Sequence, residues 1–193
     1  MKEAILRKAR ESAELKLRFI EEEAAHLEVC VRALARRFHA GGRLLTMGNG
    51  GSACDAQHVA VEFLHPIIEK RKALPALALT TDVATLTAIG NDTDFSRVFV
   101  DQLELLARPE DAVLGISSSG ASANVNRALK RAREMGLLTI GFAGRDGGRM
   151  PELCDHCFTV KTWSIHRVQE THTLLLHLLW DQVHVTMGED DVL

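Results

Sequence analysis

From Arg43 onward, short apolar runs alternate with stretches of helical pattern, and this alternation leaves few folds open. Leu44 to Met47, Ala76 to Thr80, Ala112 to Ile116, Leu137 to Phe142 and Cys157 to Val160 read as buried strands. They are too short and too uniformly apolar to show a solvent face, so they belong in a sheet covered on both sides. Helical segments at 53–65, 82–106, 122–135 and 165–186 lie between or after them. Strand, helix and parallel strand connect by right-handed crossovers. The pattern therefore predicts an α/β fold with a doubly wound, five-stranded parallel sheet of flavodoxin-like type.

The first forty residues contain no glycine or proline. Ala13, Leu17, Ile20, Ala24, Leu27, Val31, Leu34 and Phe38 recur at alternating steps of four and three, close to the coiled-coil period of about 3.5. Two readings stay open: one long helix (or two in line) packed on its own domain, or a seam partly shared with another subunit. Ala40-Gly41-Gly42 places glycine where helices stop. The expected organisation is a single domain over 1–193. It comprises an N-terminal helical extension (1–40), an α/β core (41–187) and an acidic tail (188–193), of which only the tail looks disposable.

Composition narrows the function classes. The chain has 23 basic and 26 acidic residues, a net charge of −3, whereas proteins that grip a nucleic-acid backbone concentrate positive charge. Aromatic residues are 5 % with no tyrosine, which argues against base-stacking platforms. No apolar run approaches the ~18 residues of a membrane span, and Met1-Lys2-Glu3-Ala4-Ile5 does not resemble a signal peptide. Four cysteines in 193 residues do not make a disulfide scaffold. A cytoplasmic protein that binds neither nucleic acid nor membrane is expected. Near-neutrality excludes only long polyanions, because serine hydroxyls and helix-start N–H groups can hold a single phosphate.

Parallel sheets bind ligands beyond the carboxyl ends of their strands. There the chain has Gly48-Asn49-Gly50-Gly51-Ser52 after the first run and Ser117-Ser118-Ser119-Gly120-Ala121-Ser122 after the third. Both feed a helix N-terminus, which favours an anion, although serine and glycine also serve simply as caps and turns. Gly48-x-Gly50-x-x-Ala53 fits a relaxed dinucleotide fingerprint. However, Asp82 lies too far along to be its acidic partner, and the expected region offers only Glu69. Gly115-Ile116-Ser117-Ser118-Ser119 lacks the second glycine of a nucleophile elbow.

His58 and Glu62, four residues apart, share one face of the helix after the first loop and can share a cation or a proton. The last helix carries Gln169, Glu170, His172, His177, Asp181 and His184, among which spacing does not choose. Cys154-Asp155-His156-Cys157 is a C-x-x-C without a second pair to complete a zinc site, and it reads as incidental buried thiols.

These motifs together resemble the sugar isomerase (SIS) domain, and within it the phosphoheptose isomerases. The resemblance rests on Met47-Gly48-Asn49-Gly50-Gly51-Ser52, Asp55-Ala56-Gln57-His58, Glu62, Leu86 to Asp92, Gly115 to Asn124 and Arg167-Val168-Gln169-Glu170, in register from Gly41 to His177. It implies interconversion of sedoheptulose 7-phosphate and D-glycero-D-manno-heptose 7-phosphate, for lipopolysaccharide or surface-glycan heptose. It implies Ser52, Ser117, Ser118, Ser119 and Ser122 around the phosphate, and Asn49, Gly50, Gly51, Asn91 and Asp92 along the sugar. It also implies one zinc per subunit on His58, Glu62, Gln169 and His177, and a homotetramer with active sites at subunit interfaces.

An aldose–ketose conversion moves a proton between adjacent carbons through an enediolate. On the resemblance, Glu62 is the base and His177 its acid/base partner, with zinc polarising the oxygens. Glu62 then needs loose coordination, since a tightly bound carboxylate is a poor base. Two departures stand out. Pro66 occupies the place of a common family arginine, so Arg71 or a partner subunit would have to supply that cation. Thr93-Asp94-Phe95 replaces a stretch that usually contains glycine or an aromatic. Related scaffolds that bind a replication initiator lack the glutamate and final histidine, both present here. A sugar-phosphate-binding regulator without turnover is the other alternative.

Overall fold

The computed structural model describes residues 1–66 and 71–191. Five parallel strands, β1 (Leu44–Gly48), β2 (Ala76–Ala78), β3 (Ala112–Ser117), β4 (Leu138–Gly144) and β5 (His156–Val160), form one sheet in the order β2-β1-β3-β4-β5. Period-two alternation sends successive side chains to opposite faces. Leu44, Leu114, Ile140 and Phe142 enter the core beneath α1 (Lys2–His39), α2 (Gly51–Leu64) and α7 (Ile165–Thr186). Leu45, Met47 and Val113 enter the opposite core with α4 (Val100–Leu106), α5 (Ala123–Glu134) and the short α6 (Met150–Leu153). The doubly wound architecture is as expected.

The first helix is continuous over 38 residues. Leu27, Val31, Leu34 and Phe38 are buried in its own domain, while Ala13 and Ala24 are exposed and Leu17 is 62 % exposed. The buried face shifts to Ser12 and Phe19 in the first half, where α1 lies on α7. A straight helix drifts by about 20° per heptad from a 3.5-residue repeat, so one domain cannot cover the entire seam.

One expected element is divided. The 82–106 segment is not one helix but α3 (Val83–Asp92), a 3-10 turn at Phe95–Arg97, and α4. Asp82 caps α3 by accepting from Thr85 N, and Asp94 caps the turn by accepting from Ser96 N. The Thr93 hydroxyl donates back to Ile89 O. Short polar side chains that bond local backbone compete with helix continuation, and two of them, Thr93 and Asp94, lie side by side here. The tail is also less disposable than expected. Glu189 accepts from Lys72 N at 2.9 Å and lies 3.2 Å from His184 Nδ1.

Candidate active site

β1 and β3 are neighbours, yet their following helices go to opposite faces, α2 to one and α5 to the other. That divergence opens a crevice at the strand ends. Both small-residue loops border it. Asn49 and Asn124 cross it as a reciprocal amide pair: Asn49 Nδ2 donates to Asn124 Oδ1 at 2.8 Å, and Asn124 Nδ2 to Asn49 Oδ1 at 2.9 Å. Ser52 is buried in the first turn of α2. In the second loop Ser117 Oγ lies 2.9 Å from Ser122 Oγ and 3.4 Å from Ser119 Oγ, with Ser118 half-buried beside them. Three of the five hydroxyls named for the phosphate, those of Ser117, Ser119 and Ser122, thus lie together.

This serine loop is held from behind. Gly120 has φ +64°, and a Cβ there would meet Gly147 O at 1.9 Å, so only glycine fits. Its carbonyl accepts from Asn126 Nδ2 at 3.0 Å and from Arg149 N at 3.1 Å.

Deeper along α2, His58 Nε2 lies 3.1 Å from Glu62 Oε1 and 3.3 Å from His177 Nε2 of α7. One donor atom from each residue falls within 4.8 Å of the others, so the three can hold a metal ion. Zn–N and Zn–O distances of about 2.0–2.1 Å put tetrahedral neighbours about 3.3 Å apart; the two spacings to His58 match that edge, and Glu62 and His177 come within 4.8 Å of each other. Two imidazoles and one carboxylate are also a donor set that zinc takes. Burial, then the neighbouring His58, holds His177 below the ordinary histidine range. Asp55, one turn before His58, is pushed up by burial, partly offset by His58.

Gln169 approaches from α7 and lies over the start of α2. A Cβ on Gly51 would sit 2.0 Å from Gln169 Nε2, so the absent side chain makes room for this amide. Asn91 and Asp92 end α3 in an exposed position, where Asn91 Nδ2 donates to Asp92 Oδ1 at 2.7 Å. α3 itself has no fully buried residue.

The SIS domain family matches residues 9–144. A phosphoheptose isomerase of Desulfovibrio desulfuricans is 50 % identical over 171 residues, covering 89 % of this chain and 81 % of the relative. The chain belongs to the phosphoheptose isomerase family of SIS-domain proteins. Solved members of that family share its form. The phosphoheptose isomerase of Francisella tularensis superposes with a TM-score of 0.90 at 31 % identity, covering 95 % of this chain and 97 % of that one. That of Neisseria gonorrhoeae gives 0.86 at 38 % identity, covering 94 % and 97 %. Family membership makes the chain an aldose–ketose isomerase acting on a phosphorylated sugar.

Against the family background, two expectations about cations and cofactors resolve. Arg71 does not replace the arginine missing at Pro66. Its side chain is 3 % exposed, donates to Asp181 Oδ1 at 2.6 Å and stacks 4.6 Å over Trp180. The dinucleotide fingerprint lacked an acidic partner at the right distance except Glu69, which lies outside the described residues, and Asp82 caps α3. The Asn49–Asn124 bridge and the buttress at Gly147-Gly148 carried a readable signal, an asparagine in the first loop and another just after the second, and a double glycine after β4. From the sequence Asn49 is expected only along the sugar, and Asn124 and the double glycine carry no expected role.

Proposed function

We propose that the chain isomerises sedoheptulose 7-phosphate to D-glycero-D-manno-heptose 7-phosphate with one zinc held by His58, Glu62 and His177, and Gln169 as a fourth donor. The convergence of His177 from α7 on His58 and Glu62 of α2, the helix that also borders the crevice, carries this reading. Ser52, Ser117, Ser118, Ser119 and Ser122 donate to the phosphate, which anchors one end of the sugar chain. Asn49, Gly50, Gly51, Asn91 and Asp92 line its hydroxyls. Anchoring makes proton transfer at the far end intramolecular, and this is a large part of the rate gain.

Glu62, 14 % exposed and directed by its 3.1 Å contact with His58, takes the proton from C1 of the ketose and returns it to C2. His177 relays the hydroxyl proton between the two oxygens. Bound zinc supplies Lewis-acid polarisation of the sugar oxygens. Glu62→Gln is expected to stop exchange of the substrate's carbon-bound proton with deuterated solvent while phosphosugar binding is retained. Exchange at the wild-type rate would overturn the assignment. Metal-free protein that binds phosphosugar without turnover would identify a regulator instead.

Exposed Ala13, Leu17 and Ala24 on α1, with Val83 66 % and Phe95 61 % exposed around α3, support a homotetramer whose subunits complete one another's sites. Light scattering at four chain masses is the expected result. A charged phosphosugar substrate supports a cytoplasmic location and a role in heptose supply for lipopolysaccharide or surface glycan. Among the described residues, no helix is long and apolar enough to cross a membrane.

A further inference from the structure

The C-x-x-C segment has no part in the isomerisation, yet its two sulfurs lie against the same residue. A Cβ built on Gly141 of β4 would lie 2.8 Å from Cys154 Sγ and 3.3 Å from Cys157 Sγ, so both thiols rest on the same bare stretch of backbone. The turn between them is fixed. Asp155 Oδ2 accepts from Thr139 N and Thr139 Oγ1, both at 2.9 Å, and Asp155 N donates to Thr139 O at 3.0 Å. The two cysteines differ in access: Cys154 is 7 % exposed at the end of α6, while Cys157 on the edge strand β5 is half-buried.

We propose that Cys154 and Cys157 are a redox dithiol, closed to a disulfide by hydrogen peroxide, at a modification site separate from the sugar-phosphate crevice. The geometry assigns the order of events. Cys157, the more accessible thiol, attacks the peroxide O–O bond as thiolate, giving a sulfenic acid and releasing hydroxide. Cys154 then attacks that sulfur, the S–S bond forms, and the sulfenic oxygen leaves as water. In sum, two thiols and one peroxide give a disulfide and two waters, with two electrons passing from sulfur to oxygen.

The protonation pattern agrees with this division of labour. The hydrogen bond from the Cys154 thiol, aided by Thr159, lowers Cys157 despite its burial. The same shared hydrogen bond, followed by burial, pushes Cys154 up. A thiolate is thereby favoured on the sulfur that oxidant reaches first. The other two cysteines lack this arrangement: Cys30 is wholly buried, with its thiol pushed up by burial, and Cys54 lies alone on the exposed side of α2.

The test uses the full chain treated with hydrogen peroxide, alkylated under denaturing conditions, digested and mapped by mass. The expected peptide joining Cys154 to Cys157 has lost two hydrogens and escapes alkylation, and dithiothreitol restores alkylation of all four cysteines. Cys154→Ser should let Cys157 run on to sulfinic acid, because the resolving thiol is gone. Cys157→Ser should leave Cys154 reduced at the same peroxide dose. In the wild-type chain, a sulfinic acid at Cys157 beside an intact Cys154 thiol would overturn the proposal. So would oxidation confined to Cys54.

Discussion

A methyl group at position 51 tests whether Gln169 matters for catalysis or merely packs. Built on the present backbone, it would sit 2.0 Å from Gln169 Nε2. Carbon and nitrogen atoms rest about 3.5 Å apart, so the amide must withdraw by about 1.5 Å. The end of a glutamine side chain does this by rotation, without moving backbone. Gly51 is the first residue of α2, and glycine-to-alanine exchange in a helix favours folding by up to about 1 kcal/mol. Gly51→Ala should therefore keep or raise the melting temperature while pulling one proposed donor out of place. A displacement of about 1 Å in a catalytic group costs on the order of 100-fold, or about 2.7 kcal/mol of barrier. The assay is kcat/KM for sedoheptulose 7-phosphate in the single variants and in the double variant with Gln169→Ala. The two losses should not add, because both act through the same amide. Activity of Gly51→Ala within about twofold of wild type would refute the role of Gln169. An undiminished loss in the Gln169→Ala background would show that the effect runs through the loop backbone instead.

Asn124→Ala removes both bonds across the crevice and leaves the Asn49 amide without its partner, so about 1–3 kcal/mol of stability should go, measured by urea unfolding. Its KM for the phosphosugar should rise more than kcat falls, since the bridge sets the spacing of the two loops. Asp181→Asn leaves the buried Arg71 guanidinium with only the 4.0 Å contact to Glu189 as counter-charge and should cost up to about 3 kcal/mol in the same assay. At temperatures where that variant stays folded, an unchanged KM is expected, and a raised one would show that Arg71 serves the substrate after all. Asp111 gives a pH dependence. Burial alone raises its carboxyl, but bonds from the Arg43 guanidinium and the Arg108 and Arg43 N–H groups outweigh it, and the net shift is downward. A lowered folded pKa contributes stability above the unfolded value of about 3.9, lost as pH falls through the folded value. The stability gap between wild type and Asp111→Asn should be present at neutral pH and shrink below about pH 4. A gap that persists in acid would contradict the sign.

The sheet was legible because burial on both faces demands uninterrupted apolar runs, and all five runs became strands. The His58–Glu62 pair was legible because helix periodicity alone brings residues four apart together. Its third member was not: His177 stands among several polar residues on α7, and only the packing of α7 on α2 selects it. The family resemblance had named it, but periodicity had not. Gln169 shows the same limit more sharply. Its place depends on a missing Cβ at Gly51, a contact between residues far apart in the chain. The break at 92–94 failed differently, because apolar spacing continued across it while local side-chain bonds ended the helix.

Net charge is also uninformative here for a physical reason. Several arginines that a composition count would offer to a phosphate are paired with carboxylates instead. Arg43 is held by Asp111, Arg71 by Asp181, Arg97 by Asp101, Arg131 by Glu104 and Arg167 by Glu170. The groups gathered at the crevice are instead hydroxyls, amides and the start of α2, none of which enters a charge sum. Such donors bind a phosphate monoester through directed hydrogen bonds and a helix dipole, and they bind a long polyanion poorly. On the proposed function, selectivity for a small phosphorylated ligand over nucleic acid rests on these same neutral loops.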